Sequence, residues 1–186
     1  MLTNHHVVHS GQNGERIDVQ FRFDARDDTE GIVVRVEAET AAMTESPSGG
    51  AAQEVGTDSG PDELDFVVLK LDPAADLLGR APLRIAPAGA SALGQPLLVL
   101  QHPLGESLQV CVGSIVGVNT SGTRLHHNAT TQPGSSGSPC LSSIDLALVA
   151  VHTSGSGSRH NNAVPFSRVV TALRNSGVAV PQSPRP

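Results

Sequence analysis

Aromatic side chains are almost absent from this chain of 186 residues, which has no tryptophan, no tyrosine and four phenylalanines. Proteins that bind nucleic acid stack bases on aromatic side chains and surround the phosphates with basic residues. Here 12 Lys and Arg residues stand against 18 Asp and Glu residues, for a formal net charge of −6. Nucleic-acid binding is therefore not expected.

Cysteines and long apolar runs are also scarce. Cys111 and Cys140 are too few for a disulfide scaffold, and the sequence leaves open whether they form a bridge. No apolar run approaches the roughly 20 residues that span a bilayer, and no segment has the pattern of a signal peptide. We expect no membrane contact and favour a cytoplasmic location. The chain opens on a histidine-rich turn with no strand before it, so we also expect that upstream residues are missing.

Short strand patterns are what the sequence does contain, and they predict an all-β protein. Residues 16–23 and 31–38 alternate apolar and polar side chains and should pair as a hairpin, whereas 39–62 have no apolar period and predict a loop. Further Val- and Leu-rich segments bounded by Gly, Pro or Asn predict strands at 64–71, 96–101, 108–119 and 146–151.

The end of the chain predicts one helix. Residues 165–176 carry apolar side chains at helical spacing, with proline at the start and glycine just past the end. A Pro/Ala/Gly-rich connection places a boundary near 85–93. This divides the chain into an N-terminal half, a C-terminal half and a tail, at 1–85, 86–178 and 179–186.

The segment 133–140, PGSSGSPC, carries the strongest chemical signal. Its prolines and glycines exclude a helix or a central strand, so it must be a shaped loop. Such clusters are often ordinary loops, but this one can expose a serine hydroxyl and turn backbone N–H groups toward one point, as acyl transfer requires. Ser136 is the candidate nucleophile, and the N–H groups of Gly134 and Ser136 are the candidate oxyanion hole.

A serine hydroxyl becomes a good nucleophile only when a histidine accepts its proton and a carboxylate orients that histidine. His6 and Asp65 are the candidates. Asp65 directly precedes the apolar run Phe66-Val67-Val68, where a carboxylate is costly to bury unless it is hydrogen-bonded; a solvated acid at the start of a strand is the alternative. The chain order His, Asp, Ser is the order found in two-barrel proteases.

These three segments resemble those of chymotrypsin-like (trypsin-like) bacterial serine peptidases, including glutamyl endopeptidases and high-temperature-requirement proteases. TNHHVV, beginning at Thr3, resembles the histidine box; DFVVL, beginning at Asp65, resembles the aspartate strand; and GSSGSP, beginning at Gly134, matches the nucleophile motif G-x-S-G-[GS]-P. The resemblance implies two packed antiparallel Greek-key β-barrels and a C-terminal helix, and we expect the first barrel to lack its N-terminal strands.

The same resemblance implies a serine endopeptidase that cleaves polypeptide substrates through an acyl-enzyme, without a metal or a cofactor. His6 would be the general base, oriented by Asp65. The pocket residues would be Thr131, His152, Thr153 and Ser154. His152 and Thr131 stand where glutamyl endopeptidases bind a substrate carboxylate, which suggests an acidic preference; a neutral His152 bonded within its strand is the other possibility.

The sequence leaves two other hypotheses open, and it does not indicate an oligomeric state. One is a catalytically inactive protease-fold binding module whose truncated first barrel no longer aligns the three side chains. The other is a zinc site formed by His5 and His9 at i and i+4, although no third ligand is evident. The remaining histidines, His126, His127 and His160, are expected to be solvated loop residues.

Overall fold

The computed structural model describes residues 1–9, 18–21, 32–44, 59–71, 81–155 and 160–180. These residues form ten strands and two helices, and a single 3-10 turn at 103–105. The predicted all-β class is confirmed. In chain order the elements are β1 (Leu2–Thr3), α1 (His5–His9), β2 (Asp18–Phe21), β3 (Ile32–Thr44), β4 (Phe66–Leu71), β5 (Pro96–Gln101), β6 (Gln109–Val118), β7 (Leu125–His127), β8 (Pro139–Ser142), β9 (Leu148–Gly155), β10 (Asn161–Pro165) and α2 (Phe166–Asn175).

The N-terminal strands form an antiparallel sheet in the order β1-β4-β3-β2. β2 pairs with β3, with Phe21 opposite Ile32, so the predicted hairpin is confirmed. β3 continues to Thr44, which lies opposite Phe66, so the prediction of a loop beginning at 39 was wrong. Two register shifts between Val36 and Ala42 explain why no apolar period marks this segment. Residues 45–58 of that predicted loop lie outside the described residues.

The C-terminal strands form a closed barrel in the order β10-β7-β6-β5-β8-β9. Every neighbouring pair is antiparallel, and closure leaves no strand with unpaired edge groups. The predicted strands at 96–101 and 108–119 are confirmed as β5 and β6. The interior is filled by small and branched apolar side chains: Leu97, Val99, Ile115, Leu125, Ala129, Cys140, Val149, Ala150 and Ala163.

The predicted helix at 165–176 is confirmed as α2. Its buried face consists of Phe166, Val169 and Leu173, and burial of each such side chain contributes about 1.5–3 kcal/mol. These side chains share one core with Leu64 and Phe66 of the N-terminal half. The helix therefore packs on the barrel and on the segment that leads into β4. Of the predicted tail at 179–186, residues 181–186 lie outside the described residues.

The histidines of β7 were predicted wrongly as solvated loop residues. His127 is fully buried and His126 is half-buried, because β7 is an inner strand paired on both sides, with β6 and β10. Cys111 and Cys140 are both free thiols. Within the described ranges, neither helix is long and apolar enough to cross a membrane.

Candidate active site

The pairing of β1 with β4 brings the first histidine-rich turn next to Asp65. Leu2 lies opposite Val68 and Thr3 opposite Val67, so the residues after β1 reach the residue that precedes β4. Asn4, which is fully buried, donates from Nδ2 to the backbone oxygen of Asp65 at 3.0 Å. The short helix α1 then begins, and it places His6 above the Asp65 carboxylate.

Asp65 accepts two hydrogen bonds from His6, one from the backbone and one from the ring. Its Oδ1 lies 3.0 Å from the His6 backbone nitrogen, and its Oδ2 lies 2.7 Å from Nδ1. The Asp65 side chain is 1% exposed, and its φ of 60° lies in the left-handed region, which costs a non-glycine residue about 1–2 kcal/mol. The two bonds from His6 and the bond from Asn4 hold this conformation.

The other ring nitrogen of His6 faces the serine hydroxyl. His6 Nε2 lies 3.0 Å from Ser136 Oγ, and Ser136 Oγ also lies 3.1 Å from the backbone oxygen of Thr153. Because a carboxylate can only accept, the Nδ1 that faces Asp65 carries the ring proton in the neutral imidazole. The unprotonated Nε2 is therefore directed at the Ser136 hydroxyl, which is the arrangement that lets a histidine remove its proton.

The loop that carries Ser136 depends on two glycines. Gly134 has φ 93° and Gly137 has φ 85°, and neither position has room for a side chain. A Cβ at Gly134 would lie 2.9 Å from the backbone oxygen of His102, and one at Gly137 would lie 2.5 Å from Thr3 Oγ1. The loop is thus pressed against β1 on one side and against the turn after β5 on the other.

Backbone hydrogen bonds occupy three N–H groups of the serine loop. The N–H of Ser135 donates to Gln132, that of Ser138 to Ser135, and that of Gly137 to the backbone oxygen of His152, all at 3.0–3.1 Å. In the described part of the chain, no hydrogen bond occupies the N–H of Gly134 or of Ser136. These are the two donors that the sequence predicted for an oxyanion hole.

The sequence profile of the trypsin-like peptidase domain matches residues 1–151, a span that contains His6, Asp65 and Ser136. The chain belongs to the trypsin-like peptidase domain family. No curated protein matches the sequence of this peptidase domain.

The peptidase domain is similar in structure to the serine endoprotease from Yersinia pestis, with a TM-score of 0.67 and 18% sequence identity. The match covers 94% of this chain and 52% of that chain, so the peptidase domain spans about half the length of that structure. At this identity the likeness concerns the fold. The predicted family and the predicted chymotrypsin-like all-β fold are confirmed.

The predicted pocket residues of the peptidase domain are mostly buried in the barrel wall. Thr131 is half-buried, whereas His152, Thr153 and Ser154 are buried. Thr153 Oγ1 donates to the backbone oxygen of Asn162 at 3.2 Å, and Ser154 Oγ accepts from Asn162 Nδ2 at 3.2 Å.

The rings of His152 and His127 form a buried pair behind the serine loop. His152 Nδ1 lies 3.2 Å from His127 Nε2. Burial, reinforced by the charges of neighbouring histidines, lowers the pKa of His152 to about 3 and that of His127 to about 4. Both imidazoles are therefore neutral near pH 7, and His152 brackets the loop through its backbone, which bonds to Gly137 and Ser138.

Two polar residues of the site carried no recognised signal in the sequence, Asn4 and Gln101. Asn4 follows the histidine-box threonine, and Gln101 ends the apolar run of β5; both side chains are almost completely buried. A polar residue at the end of an apolar strand is the signal that could have identified Gln101. Among the described residues no group of three or more His, Cys, Asp or Glu side chains could hold a metal ion, and the side chain of His9 lies outside them.

Proposed function

We propose that this chain is a serine endopeptidase that hydrolyses peptide bonds through an acyl-enzyme on Ser136. The observation that carries the proposal is the position of His6, whose two ring nitrogens lie 2.7 Å from Asp65 Oδ2 and 3.0 Å from Ser136 Oγ. Membership of the trypsin-like peptidase family and the likeness to a serine endoprotease support it. The substrate class that this family implies is polypeptide.

The proposed reaction assigns each group one task. Ser136 Oγ attacks the carbonyl carbon of the scissile bond while His6 Nε2 accepts the hydroxyl proton, and the Asp65 carboxylate stabilises the resulting imidazolium. The N–H groups of Gly134 and Ser136 stabilise the oxyanion of the tetrahedral intermediate, a contribution of about 3–4 kcal/mol for each donor. His6 then gives the proton to the leaving amine, and water, deprotonated by His6, hydrolyses the acyl-enzyme.

We further propose a preference for an acidic residue on the acyl side of the scissile bond, recognised by Thr131 and His152. The neutral His152 ring can present an N–H to a carboxylate, and an arriving anion favours the protonated imidazole. The resemblance to glutamyl endopeptidases supports this pair of positions. Because the bonds from His152 to Gly137 and Ser138 are made by its backbone, His152→Leu should remove selectivity for Glu over Gln peptides and leave the loop intact.

Labelling with a fluorophosphonate tests the enzyme hypothesis directly. The wild-type chain should gain the mass of one phosphonyl group on the peptide containing Ser136, and Ser136→Ala should gain none and lose hydrolysis. Ser143→Ala is the matched control, because Ser143 is an exposed serine of the same barrel. If the folded wild-type chain is neither labelled nor able to hydrolyse peptides, the inactive binding module becomes the better hypothesis; the N-terminal sheet, which does not close in the described residues, favours that alternative.

A further inference from the structure

We propose that Gln101 is a positioning residue that holds the serine loop in its oxyanion-binding shape, an inference that rests on the proposed peptidase function. Gln101 is the last residue of β5 and is 2% exposed. Its side-chain amide reaches the residue immediately before the nucleophile. None of the sequence motifs described above includes it.

The amide of Gln101 links Thr130, which precedes the serine loop, to Ser135 within the loop. Its Oε1 accepts from Ser135 Oγ at 2.6 Å, and its Nε2 donates to the backbone oxygen of Thr130 at 3.0 Å. Nε2 also lies 2.9 Å from Cys111 Sγ, which is a weak acceptor. The amide is thus oriented by two strong partners, one on each side of the 131–134 segment.

Ser135 transmits this hold to the proposed oxyanion hole. It is fully buried, and its Oγ accepts from the backbone N–H of Gln132 at 3.2 Å while donating to Gln101. Ser135 lies between Gly134 and Ser136, the two residues whose N–H groups would bind the oxyanion. A rotation at Ser135 would redirect the peptide that carries the Ser136 N–H, and the bond to Gln101 opposes that rotation.

The same end of β5 holds the loop at a second point. The N–H of Leu104 donates to the backbone oxygen of Pro133 at 2.7 Å, and Gly134 packs against the His102 carbonyl. The turn therefore contacts the loop at Pro133 and at Gly134. The side chain of Gln101 and the turn that follows it therefore act on the loop from one rigid strand of the closed barrel.

The residue type matters because position 135 is a serine. In this chain the partner of position 135 is a neutral amide inside the same barrel. A buried hydroxyl–amide bond needs no charged partner, so a neutral contact within the barrel holds the loop.

The test compares Gln101→Leu with wild type and with Gln109→Leu. Gln109 is exposed and lies directly opposite Gln101 in β6, so it is a matched control for the loss of a glutamine on the same pair of strands. Gln101→Leu should lower kcat roughly 10- to 100-fold with little change in KM, because the misplaced donors matter only in the transition state. Affinity for a peptide aldehyde, which forms a tetrahedral adduct on Ser136, should fall by the same factor.

Two further variants separate positioning from a general structural role. Ser135→Ala removes the same hydrogen bond from the other side, so the double variant should be no slower than the slower single variant. Gln101→Glu has a neutral carboxylic acid form that can donate to Thr130 and accept from Ser135, and burial raises the pKa of such a group. Its kcat relative to wild type should therefore recover as the pH falls.

The outcomes are distinguishable. An active, fluorophosphonate-labelled wild type with Gln101→Leu at wild-type kcat overturns this inference and leaves the proposed function intact. Losses of kcat that multiply in the double variant also overturn it. So does a Gln101→Leu change that weakens the aldehyde, measured with Ser136 present, by the same factor as it weakens an uncleaved peptide, measured in a Ser136→Ala background. If Gln101→Leu does not fold, Ser135→Ala alone decides by the same measurements. A wild type that neither labels nor hydrolyses contradicts the proposed function itself.

Discussion

Replacement of Asp65 by asparagine changes one oxygen for an NH₂ group, and the structure predicts what this does to His6. Asp65 accepts from the His6 backbone N–H at 3.0 Å and from Nδ1 at 2.7 Å. The His6 backbone N–H can only donate, so the asparagine oxygen is expected to remain its acceptor. The NH₂ group then faces Nδ1, which must become an acceptor, and the ring proton moves to Nε2.

The exchanged tautomer directs an N–H at the nucleophile. His6 Nε2, 3.0 Å from Ser136 Oγ, would donate to the hydroxyl and could no longer accept its proton. The loss of a correctly oriented base by this route costs about 10⁴ in kcat, or roughly 5.4 kcal/mol at 1.36 kcal/mol for each factor of ten. The opposite orientation of the amide would leave the His6 backbone N–H against NH₂, at a cost of about 1–3 kcal/mol in stability.

The assay measures kcat and KM of wild type and Asp65→Asn on one peptide substrate, together with the ¹⁵N shifts of the His6 ring. The variant should fold, should keep KM within a few-fold and should show the proton on Nε2. Asp62→Asn is the control, because it replaces an exposed carboxylate by a carboxamide three residues earlier, and it should retain wild-type rates. An Asp65→Asn variant within tenfold of wild-type kcat would refute the role assigned to Asp65.

Two further predictions concern stability. The pKa values of His127 and His152, lowered to about 4 and about 3, mean that unfolding releases both rings to an ordinary pKa near 6.5. Below pH 6.5 the unfolded chain binds more protons than the folded chain. The free energy of unfolding should therefore be highest above pH 6.5 and should decrease as the pH is lowered, by up to roughly 1.4 kcal/mol per pH unit for each ring. Denaturant unfolding curves that do not change from pH 7.5 to 4.5 would contradict this. Gly113→Ala should destabilise the fold by about 1–3 kcal/mol or more, because the added Cβ would lie 2.4 Å from the Ala129 nitrogen. Gly60→Ala is the control: its added Cβ would have its nearest neighbour at 3.6 Å, so it should cost less than about 1 kcal/mol in the same thermal unfolding assay.

Local chemistry explains which elements were predictable. β5 and β6 are rich in Val and Leu, and α2 has apolar side chains at helical spacing. All three are bounded by Gly, Pro or Asn, so the residues of each segment predict its own structure. The serine loop was predictable for the same reason, since its own prolines and glycines exclude a helix or a central strand. The family motifs extended this to His6 and Asp65, which the structure brings together with Ser136.

The missed features all depend on partners that are remote in the chain. The second half of β3 lacks an apolar period but is a strand because β4 pairs with it across two register shifts. His127 is polar in the sequence yet fully buried, because β7 is enclosed by β6 and β10 and because His152 meets its ring. A sequence pattern reports the preferences of a segment, and these outcomes were decided by what the segment packs against.

The alignment of the site also rests on bonds that carry no sequence signal at all. The segment 59–65, which leads to Asp65, is held by the C-terminal barrel: Thr123 Oγ1 donates to the Ser59 carbonyl and buried Arg124 donates from Nη2 to the Glu63 carbonyl, both at 2.8 Å. Since every residue offers a carbonyl, no residue type at 59 or 63 announces these contacts. These contacts join the two halves, and the 3.0 Å approach between His6 and Ser136 depends on how the halves are joined. The reacting groups can therefore be named from motifs, whereas the contacts that bring them within reach had to be found in the fold.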